Sequence, residues 1–246
     1  MAHAMARGWS GAALGPDSMA FRDVDRERSE ALAQEVGGAV AESARELAEQ
    51  SDLVVLAVKP AALEEVAREL APAEPRAVLS ILAATPLDRV REGLPGVPAM
   101  RVMPNQPVEV RRGVLCYVPP EGVPEELAER VIELLEALGV VIPLEERLME
   151  AAMAVMSCSP AYLALVAELL AEAGAREGLD PDLANRLVAD TLAGTAELLW
   201  ERDAADIRRR VAPPGGATEA GLEALERGGI HDAIASAVDA SLERFR

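Results

Sequence analysis

The first 145 residues alternate between short apolar runs and amphipathic segments, and this alternation constrains the fold more than any other feature. Short apolar runs bounded by turn residues predict strands, whereas a 3.6-residue apolar period predicts helices. Predicted strands cover residues 18–22, 53–58, 77–82, 99–103, 113–118 and 140–143. Predicted helices cover residues 2–9, 25–36, 41–50, 61–70, 87–92 and 124–138, with Gly37 and Gly38 closing the second. Strands and helices that alternate at this spacing indicate βαβ units and a mostly parallel sheet.

Residues after 145 have a different character. Stretches 147–174, 181–202 and 218–245 carry helical apolar periodicity without a strand candidate. We therefore predict two domains, an α/β domain over residues 1–145 and an all-α domain over residues 146–246.

Composition narrows the range of partners and compartments. The formal net charge of −18 argues against nucleic acid and anionic membranes, although a local positive pocket can still hold an anionic ligand. No apolar run is expected to reach membrane-spanning length, and no signal peptide is visible. Cys116 and Cys158 lie in apolar sequence without ligand-like spacing, which predicts reduced, buried thiols in a cytoplasmic protein. His3 and His231 stand at opposite ends, so neither a metal site nor a Cys–His pair is predicted.

Lys59 is the only lysine among the 24 basic residues of the chain. It follows the apolar run 53–58 and precedes Pro60, which restricts Lys59 to extended geometry. Ligands of open α/β sheets bind at the carboxyl ends of the strands, so Lys59 is a candidate ligand contact. The alternative is a lysine at a strand end that reaches solvent.

The segment 101–107 leaves a predicted strand and contains two prolines around Asn105. Proline fixes the path of the chain, and an asparagine amide offers both a donor and an acceptor. This combination suggests a rigid wall beside a planar ligand. An ordinary exit from a strand into a turn is the alternative.

The segment 212–222 opens a helix with prolines, paired glycines and a threonine. Thr218 is predicted at or near the N-cap, and the glycines let the backbone approach a ligand closely. Free amides at a helix start bind carboxylate or phosphate, so the segment is a candidate anion site. The alternative is a capped turn between helices.

A third segment, 156–162, places small residues before Pro160 inside a helical stretch. Small residues allow close approach of a helix or a cofactor, and Pro160 kinks or restarts the helix. Tight packing at a helix crossing explains the same pattern.

Taken together, these segments resemble the pyrroline-5-carboxylate reductase family over nearly the whole chain. The markers occur in the family's order at residues 57–60, 80–84, 101–107, 157–162 and 214–222. The resemblance implies a Rossmann-like dinucleotide-binding domain followed by an all-α dimerisation domain of the 6-phosphogluconate-dehydrogenase type. It also implies at least a homodimer. The implied reaction is hydride transfer from NADPH or NADH to 1-pyrroline-5-carboxylate, which gives L-proline.

The resemblance also implies roles for individual residues. Gly215, Gly216 and Ala217 match the loop whose amides hold the substrate carboxylate. Thr218 matches a hydroxyl donor beside the ring nitrogen, which gains electron density as hydride arrives. Glu201 matches an acidic position near the substrate. Cofactor contacts are implied for Asp23, Ala57, Val58, Lys59, Pro60, Ala83, Met103, Pro104 and Asn105.

Three features depart from the family pattern. The chain begins at the first helix, so the preceding strand and Gly-x-Gly-x-x turn are missing from the sequence as numbered. A misassigned start, a fragment or a degenerate paralogue would each explain this, and we expect weak cofactor binding and low stability for such a chain. Pro213 replaces a usual serine, and Met156-Ser157 replaces a usual Ser-Gly.

The choice between the two cofactors stays open at this stage. An acid that follows the second strand of such a domain bonds the ribose 2′-hydroxyl of NAD and repels the 2′-phosphate of NADP. Asp23 stands at this position, but Arg22, Arg26 and Arg28 lie close in sequence and could reverse the preference.

Two rival functions fit parts of the pattern. A non-catalytic dimeric paralogue would keep the pocket loop and bind proline-like ligands without reducing them. A related β-hydroxyacid or imine reductase would share the architecture, but β-hydroxyacid enzymes would be expected to carry a lysine on the first helix of the second domain. The stretch 147–174 contains no lysine.

Overall fold

The computed structural model describes residues 1–245 and divides into two compact units. One unit comprises residues 1–158 together with the end of the last helix, and the other comprises residues 159–243. The first unit extends past residue 145 because the helix that follows packs on the sheet.

The strands of the first unit form two separate sheets. They are β1 Ala20–Phe21, β2 Ala39–Val40, β3 Val54–Leu56, β4 Val78–Ser80, β5 Ala99–Pro104, β6 Gly113–Val118 and β7 Gly139–Pro143. The larger sheet has the order β3-β4-β5-β6-β7 and is parallel except between β5 and β6. The smaller one is the parallel pair β1-β2. The mostly parallel sheet is confirmed.

Strand β3 is an edge strand within the described residues, and so is β1. Only β4 pairs with β3, and only β2 pairs with β1. The run 53–58, predicted as a fully buried strand, contributes three ladder residues, of which Val55 is half-buried. A parallel strand normally has both faces and both edges covered, so the two free edges leave backbone groups without ladder partners.

Helices cover both faces of the larger sheet. They are α1 Ala2–Ser10, α2 Arg26–Val36, α3 Ala44–Glu49, α4 Leu63–Leu70, α5 Leu87–Gly93, α6 Glu125–Glu136 and α7 Met149–Met156. Helix α2 ends, as predicted, at Gly37, which adopts φ +76°. Ser43 caps α3 by accepting a hydrogen bond from the Glu46 amide.

Neighbouring residues of β4 pack into two different hydrophobic cores, because side chains of a strand alternate between the two faces of the sheet. Val78 packs with Leu56, Leu63 and Leu70 on the face covered by α3, α4 and α5. Leu79 packs on the opposite face, with residues of α1 and α6. The Rossmann-like two-faced architecture therefore follows from the alternating apolar pattern of short parallel strands.

Helix α1 crosses the 3-10 turn Gln106–Val110 at very short range. A Cβ atom on Gly8 would lie 2.3 Å from the Val108 carbonyl oxygen and 2.6 Å from Leu138 Cδ2. Glycine is therefore required at this crossing, because any side chain would collide with backbone. The Trp9 indole fixes the same helix by donating to the Leu134 carbonyl over 2.7 Å.

The second unit is entirely helical, as predicted. Its helices are α8 Ser159–Arg176, α9 Pro181–Glu201, α10 Ala204–Val211, α11 Ala217–Arg227 and the greater part of α12 Ile230–Phe245. Two predicted helices are each broken in two, at residues 157–158 and at Gly228-Gly229, where Gly229 adopts φ +80°. Helix α10 was not predicted because its only large apolar residues are Ile207 and Val211.

The second unit buries little of its own apolar surface. Ala171 and Ala184 are the buried apolar residues of α8 and α9, whereas Leu163, Leu169 and Leu187 are about half exposed. Large apolar side chains exposed in this number are typical of helices that a partner covers.

Residues 146–176 correct the prediction that no run is long enough to cross a membrane. Their helices have the length and the mean hydropathy, 1.6, of a membrane span. The stretch is broken before Ser159, and α7 is buried against the sheet at Met149 and Met153. Length and apolar composition alone do not distinguish a membrane span from an interface helix.

Both cysteines are free thiols, but only one of them is buried as predicted. Cys116 lies in the core beside Met103, and burial raises the pKa of its thiol. Cys158 is partly exposed at the break between α7 and α8. The prediction of a buried thiol is therefore wrong for Cys158, because residues at a helix break are not enclosed on all sides.

Candidate active site

The predicted cofactor loops follow neighbouring parallel strands and leave the sheet at the same edge. Leu56 of β3 is in register with Ser80 of β4, which is in register with Arg101 of β5. The Ile81 amide donates to the Leu56 carbonyl over 3.1 Å and holds the first two loops together. Carboxyl ends of parallel strands are where open α/β sheets bind ligands.

The loop after β3 presents Lys59 to solvent. Lys59 precedes the 3-10 turn Pro60–Ala62 and adopts the extended conformation, φ −69° and ψ 145°, that a following proline favours. Ala57 and Pro60 are also exposed, whereas Val58 packs partly against the core. Within residues 1–245 no carboxylate lies within 4.0 Å of the Lys59 ammonium. The ammonium is therefore available to a ligand.

The loop after β4 is held in an uncommon backbone conformation. Ala84 has φ +50°, and the Thr85 hydroxyl donates to the Ala83 carbonyl over 3.0 Å. Ala83 itself is exposed. A non-glycine residue in the left-handed region costs free energy and is concentrated at ligand sites, so this loop is a candidate contact.

Asn105 lies at the end of β5, and its side chain makes hydrogen bonds within the first unit. Its Oδ1 accepts from the Val114 amide over 2.9 Å, and its Nδ2 donates to the Met156 carbonyl over 3.1 Å. Asn105, Pro104 and Met103 are all buried. These bonds tie the end of β5 to β6 and to α7 and engage both polar atoms of the Asn105 amide.

Asp23 lines a hollow of about 130 Å³ at the end of β1. Its amide donates to the buried Ser29 hydroxyl over 2.9 Å, and its Oδ1 accepts from the Asp25 amide over 2.9 Å. The carboxylate is thereby fixed at the mouth of the hollow.

The loop 212–219 forms the turn that the glycines predicted, but its N-cap is Gly216 rather than Thr218. Gly215 adopts φ +77°, which is a glycine conformation. Thr218 is the second residue of α11 and is exposed. Thr218 therefore lies near the N-cap, as predicted, and a glycine occupies the N-cap itself.

Two of the three amides predicted to hold a carboxylate have partners inside the loop. The Gly215 amide donates to the Glu219 carboxylate over 2.6 Å, and the Gly216 amide donates to the Pro213 carbonyl over 3.0 Å. The amides of Ala217 and Thr218 belong to the first turn of α11 and have no intrahelical acceptor. The carboxylate bound by this loop is therefore that of Glu219, from the same chain.

Glu201 is the last residue of α9 and is exposed in the second unit. The helical chain then turns at Asp203, whose carboxylate caps α10 by accepting from the Ala205 amide. Glu201 is therefore available to a ligand.

Sequence reasoning missed a buried ion pair beneath the predicted site. The guanidinium of Arg101, 3% exposed, donates to the Glu146 carboxylate, which also accepts from the Leu87 amide. Arg101 Nε is buried without a hydrogen-bond partner. A lone arginine inside the apolar strand 99–103 was the signal that could have revealed it.

Replacing Glu146 with glutamine is expected to lower the free energy of unfolding by about 2 kcal/mol, because a buried guanidinium loses its countercharge. Chemical denaturation measures the change. Glu145→Gln is the matched control, because Glu145 pairs with the exposed Arg147 and an exposed pair contributes little. Equal effects of the two substitutions would contradict the assignment.

Comparisons with known proteins decide the family. Residues 146–246 match the family model for pyrroline-5-carboxylate reductase dimerisation. Pyrroline-5-carboxylate reductase of Synechocystis is 34% identical over 203 residues, covering 81% of this chain and 76% of that protein. The chain belongs to the pyrroline-5-carboxylate reductase family.

Other matches extend over the rest of the chain. Residues 1–84 match the model described as NADP oxidoreductase, coenzyme F420-dependent. The Corynebacterium melassecola reductase is 30% identical and covers 98% of this chain and 92% of that protein. The Plasmodium falciparum pyrroline carboxylate reductase, solved with NADP bound, superposes with a TM-score of 0.89 at 26% identity, covering 98% and 92% of the two chains. The 1-pyrroline-5-carboxylate reductase of Streptococcus pyogenes superposes with a TM-score of 0.89 at 29% identity. The superposition covers 100% of this chain and 94% of that chain.

The comparisons confirm the family resemblance and the fold class predicted from the sequence. The Rossmann-like unit and the helical dimerisation unit both have counterparts in pyrroline-5-carboxylate reductase structures. The roles of individual site residues remain predictions.

Proposed function

We propose that this chain is a pyrroline-5-carboxylate reductase that transfers hydride from NADPH or NADH to the C=N carbon of 1-pyrroline-5-carboxylate and, with a proton taken up from solvent at the ring nitrogen, yields L-proline. The observation that carries the proposal is the family match across both units, which includes the Pro-Gly-Gly loop before α11. We assign the dinucleotide to residues 1–145, and the substrate and the dimer contact to residues 146–246. The free thiols support activity in the reducing cytoplasm.

Parts of the site fit a nicotinamide dinucleotide. The loops 57–60 and 83–85, in which Lys59 and Ala83 are exposed, lie at the carboxyl ends of β3 and β4. Asp23 presents a fixed carboxylate to the hollow of about 130 Å³. When bound, the cofactor would supply the hydride, and its nicotinamide ring would be oxidised by losing that hydride.

The chain's own residues have three tasks in this reaction. The amides of Ala217 and Thr218 bind the substrate carboxylate, because helix-start amides carry partial positive charge. The Thr218 hydroxyl donates a hydrogen bond to the ring nitrogen as hydride increases its electron density. Lys59, Met103 and Pro104 hold the nicotinamide ring in place, which lowers the entropic part of the activation free energy.

We further propose that a second copy of the chain covers the exposed apolar faces of the helical unit. Leu165 and Leu170 of α8 and Leu198 and Trp200 of α9 are 38% to 81% exposed in the single chain. A homodimer would bury these side chains and explain why so few residues of this unit are buried. The dimerisation family model covers this unit. Sedimentation of the purified chain tests this directly, and a monomer at micromolar concentration would contradict it.

A steady-state assay tests the reductase activity. The chain is incubated with 1-pyrroline-5-carboxylate and either NADPH or NADH, and cofactor oxidation is followed together with L-proline formation. We expect both to require the substrate and to match one to one. Stabilisation of the fold by L-proline without any turnover would instead support the non-catalytic binding protein.

Glu219 is expected to weaken substrate binding, because its carboxylate lies on the Gly215 amide and repels a substrate carboxylate held by the nearby Ala217 and Thr218 amides. Glu219→Gln keeps a hydrogen-bond acceptor but removes the charge. We expect the KM for 1-pyrroline-5-carboxylate to fall by about threefold to tenfold with little change in kcat. Glu223→Gln is the control, because Glu223 contacts only the exposed Arg227. An unchanged or higher KM for the Glu219 variant would contradict the argument.

A further inference from the structure

The hollow at the end of β1 carries a balanced set of charges. It is lined by Arg22, Asp23, Val24, Arg26, Ser29, Val40, Ala41 and Glu42. Two guanidinium groups face two carboxylates there, so the lining has no excess positive charge. A phosphate monoester carries a charge of about −1.5 to −2 near neutral pH and requires such an excess.

Arg26 is engaged by two carboxylates in this arrangement. Its Nε donates to the Glu30 carboxylate over 2.6 Å, and its Nη1 donates to the Glu42 carboxylate over 2.8 Å. These two acids raise the pKa of the Arg26 guanidinium. A phosphate would have to displace one carboxylate and then remain close to both.

The other nearby charges also disfavour a phosphate. Arg28 is paired with Asp25 over 3.1 Å. The Asp23 carboxylate, held by the Asp25 amide, points a negative charge at the same hollow. Arg22 is exposed and has no carboxylate within 4.0 Å among residues 1–245, so it is the single cation left for a ligand.

We infer that this hollow selects NADH over NADPH: Asp23 accepts hydrogen bonds from the adenosine ribose hydroxyls, and Glu42 and Glu30 withhold Arg26 from a 2′-phosphate. The inference rests on the proposed function, since it names the cofactor preferred by that same reductase. It resolves the choice left open by the sequence, where three arginines stood beside one aspartate.

Calorimetric titration of the full chain with NADH and with NADPH tests the inference without requiring turnover. We expect NADH to bind at least about tenfold more tightly, as like charges placed together disfavour the phosphorylated cofactor. In the double variant Asp23→Ser with Glu42→Gln, the ratio is expected to move toward NADPH by about tenfold or more. Glu27→Gln, which changes an exposed acid outside the hollow, is expected to leave the ratio unchanged.

The outcomes separate this inference from the proposed function. Tighter binding of NADPH by the unchanged chain would overturn the inference and leave the reductase proposal intact. A ratio that the double variant does not change would also overturn it, because Asp23 and Glu42 would then play no part in selection. Failure of both cofactors to bind, whether or not a strand and a Gly-rich turn are placed ahead of α1, would overturn both proposals.

Discussion

Replacing Thr218 with alanine is expected to lower kcat for 1-pyrroline-5-carboxylate reduction by about 100-fold, because the ring nitrogen loses its hydroxyl donor. Thr218 is exposed in the first turn of α11, so the substitution removes little packing. The free energy of unfolding should therefore stay within about 0.5 kcal/mol of the unchanged chain. The rate of proline formation in a stopped assay gives kcat, and thermal denaturation gives the change in the free energy of unfolding.

Thr218→Ser is the matched variant, because it keeps the hydroxyl and removes only a methyl group. We expect it to retain kcat within about fivefold. If alanine and serine lower kcat equally, or if alanine changes only KM, the hydroxyl has no role in the chemical step. Thr218 would then act through its amide alone.

Replacing Gly8 with alanine is expected to lower the free energy of unfolding by about 2 kcal/mol. The added Cβ would lie 2.3 Å from the Val108 carbonyl oxygen, which belongs to the backbone and cannot rotate away. Forcing α1 away from the 3-10 turn also opens its contact with Leu138 in the core. The loss exceeds the gain of about 1 kcal/mol that alanine gives inside a helix. Urea denaturation at fixed chain concentration measures it.

Gly11→Ala provides a control at the end of the same helix. There the added Cβ meets Arg111 Nη1 at 2.4 Å, but that atom is the tip of a flexible, solvent-facing side chain. Gly11 also has φ −98°, which alanine adopts readily. We expect a change below about 0.5 kcal/mol. Equal destabilisation by both substitutions would contradict the steric argument for Gly8.

Local pattern was sufficient for the elements that carry their own signal. Gly37 closes α2 and the apolar run 77–82 contains β4, because each of these depends on residues next to it. Helix α3 begins at Ala44, after the Ser43 cap, rather than at residue 41 as predicted. Strand β2 was missed, since two residues that pair only with β1 leave no periodicity to read.

Tertiary partners account for what the sequence could not predict at the site. Asn105 looked like a ligand contact, but its amide joins Val114 to Met156, far apart in the chain. The Glu219 contact with Gly215 was not predicted for a different reason, because it forms only once the loop brings the Gly215 amide back to the third residue of α11. Arg101 meets Glu146 only after β5 and the start of the helical region are packed together.

Product analysis with labelled cofactor tests the reductase proposal most directly. The chain is incubated with 1-pyrroline-5-carboxylate and NADH that carries deuterium at the reactive position of its nicotinamide ring, and L-proline is examined by mass spectrometry. The account predicts one deuterium in each proline, at the ring carbon that was double-bonded to nitrogen, even if turnover is slow. Unlabelled proline, or no proline both from this chain and from one carrying an added strand and Gly-rich turn ahead of α1, would contradict it.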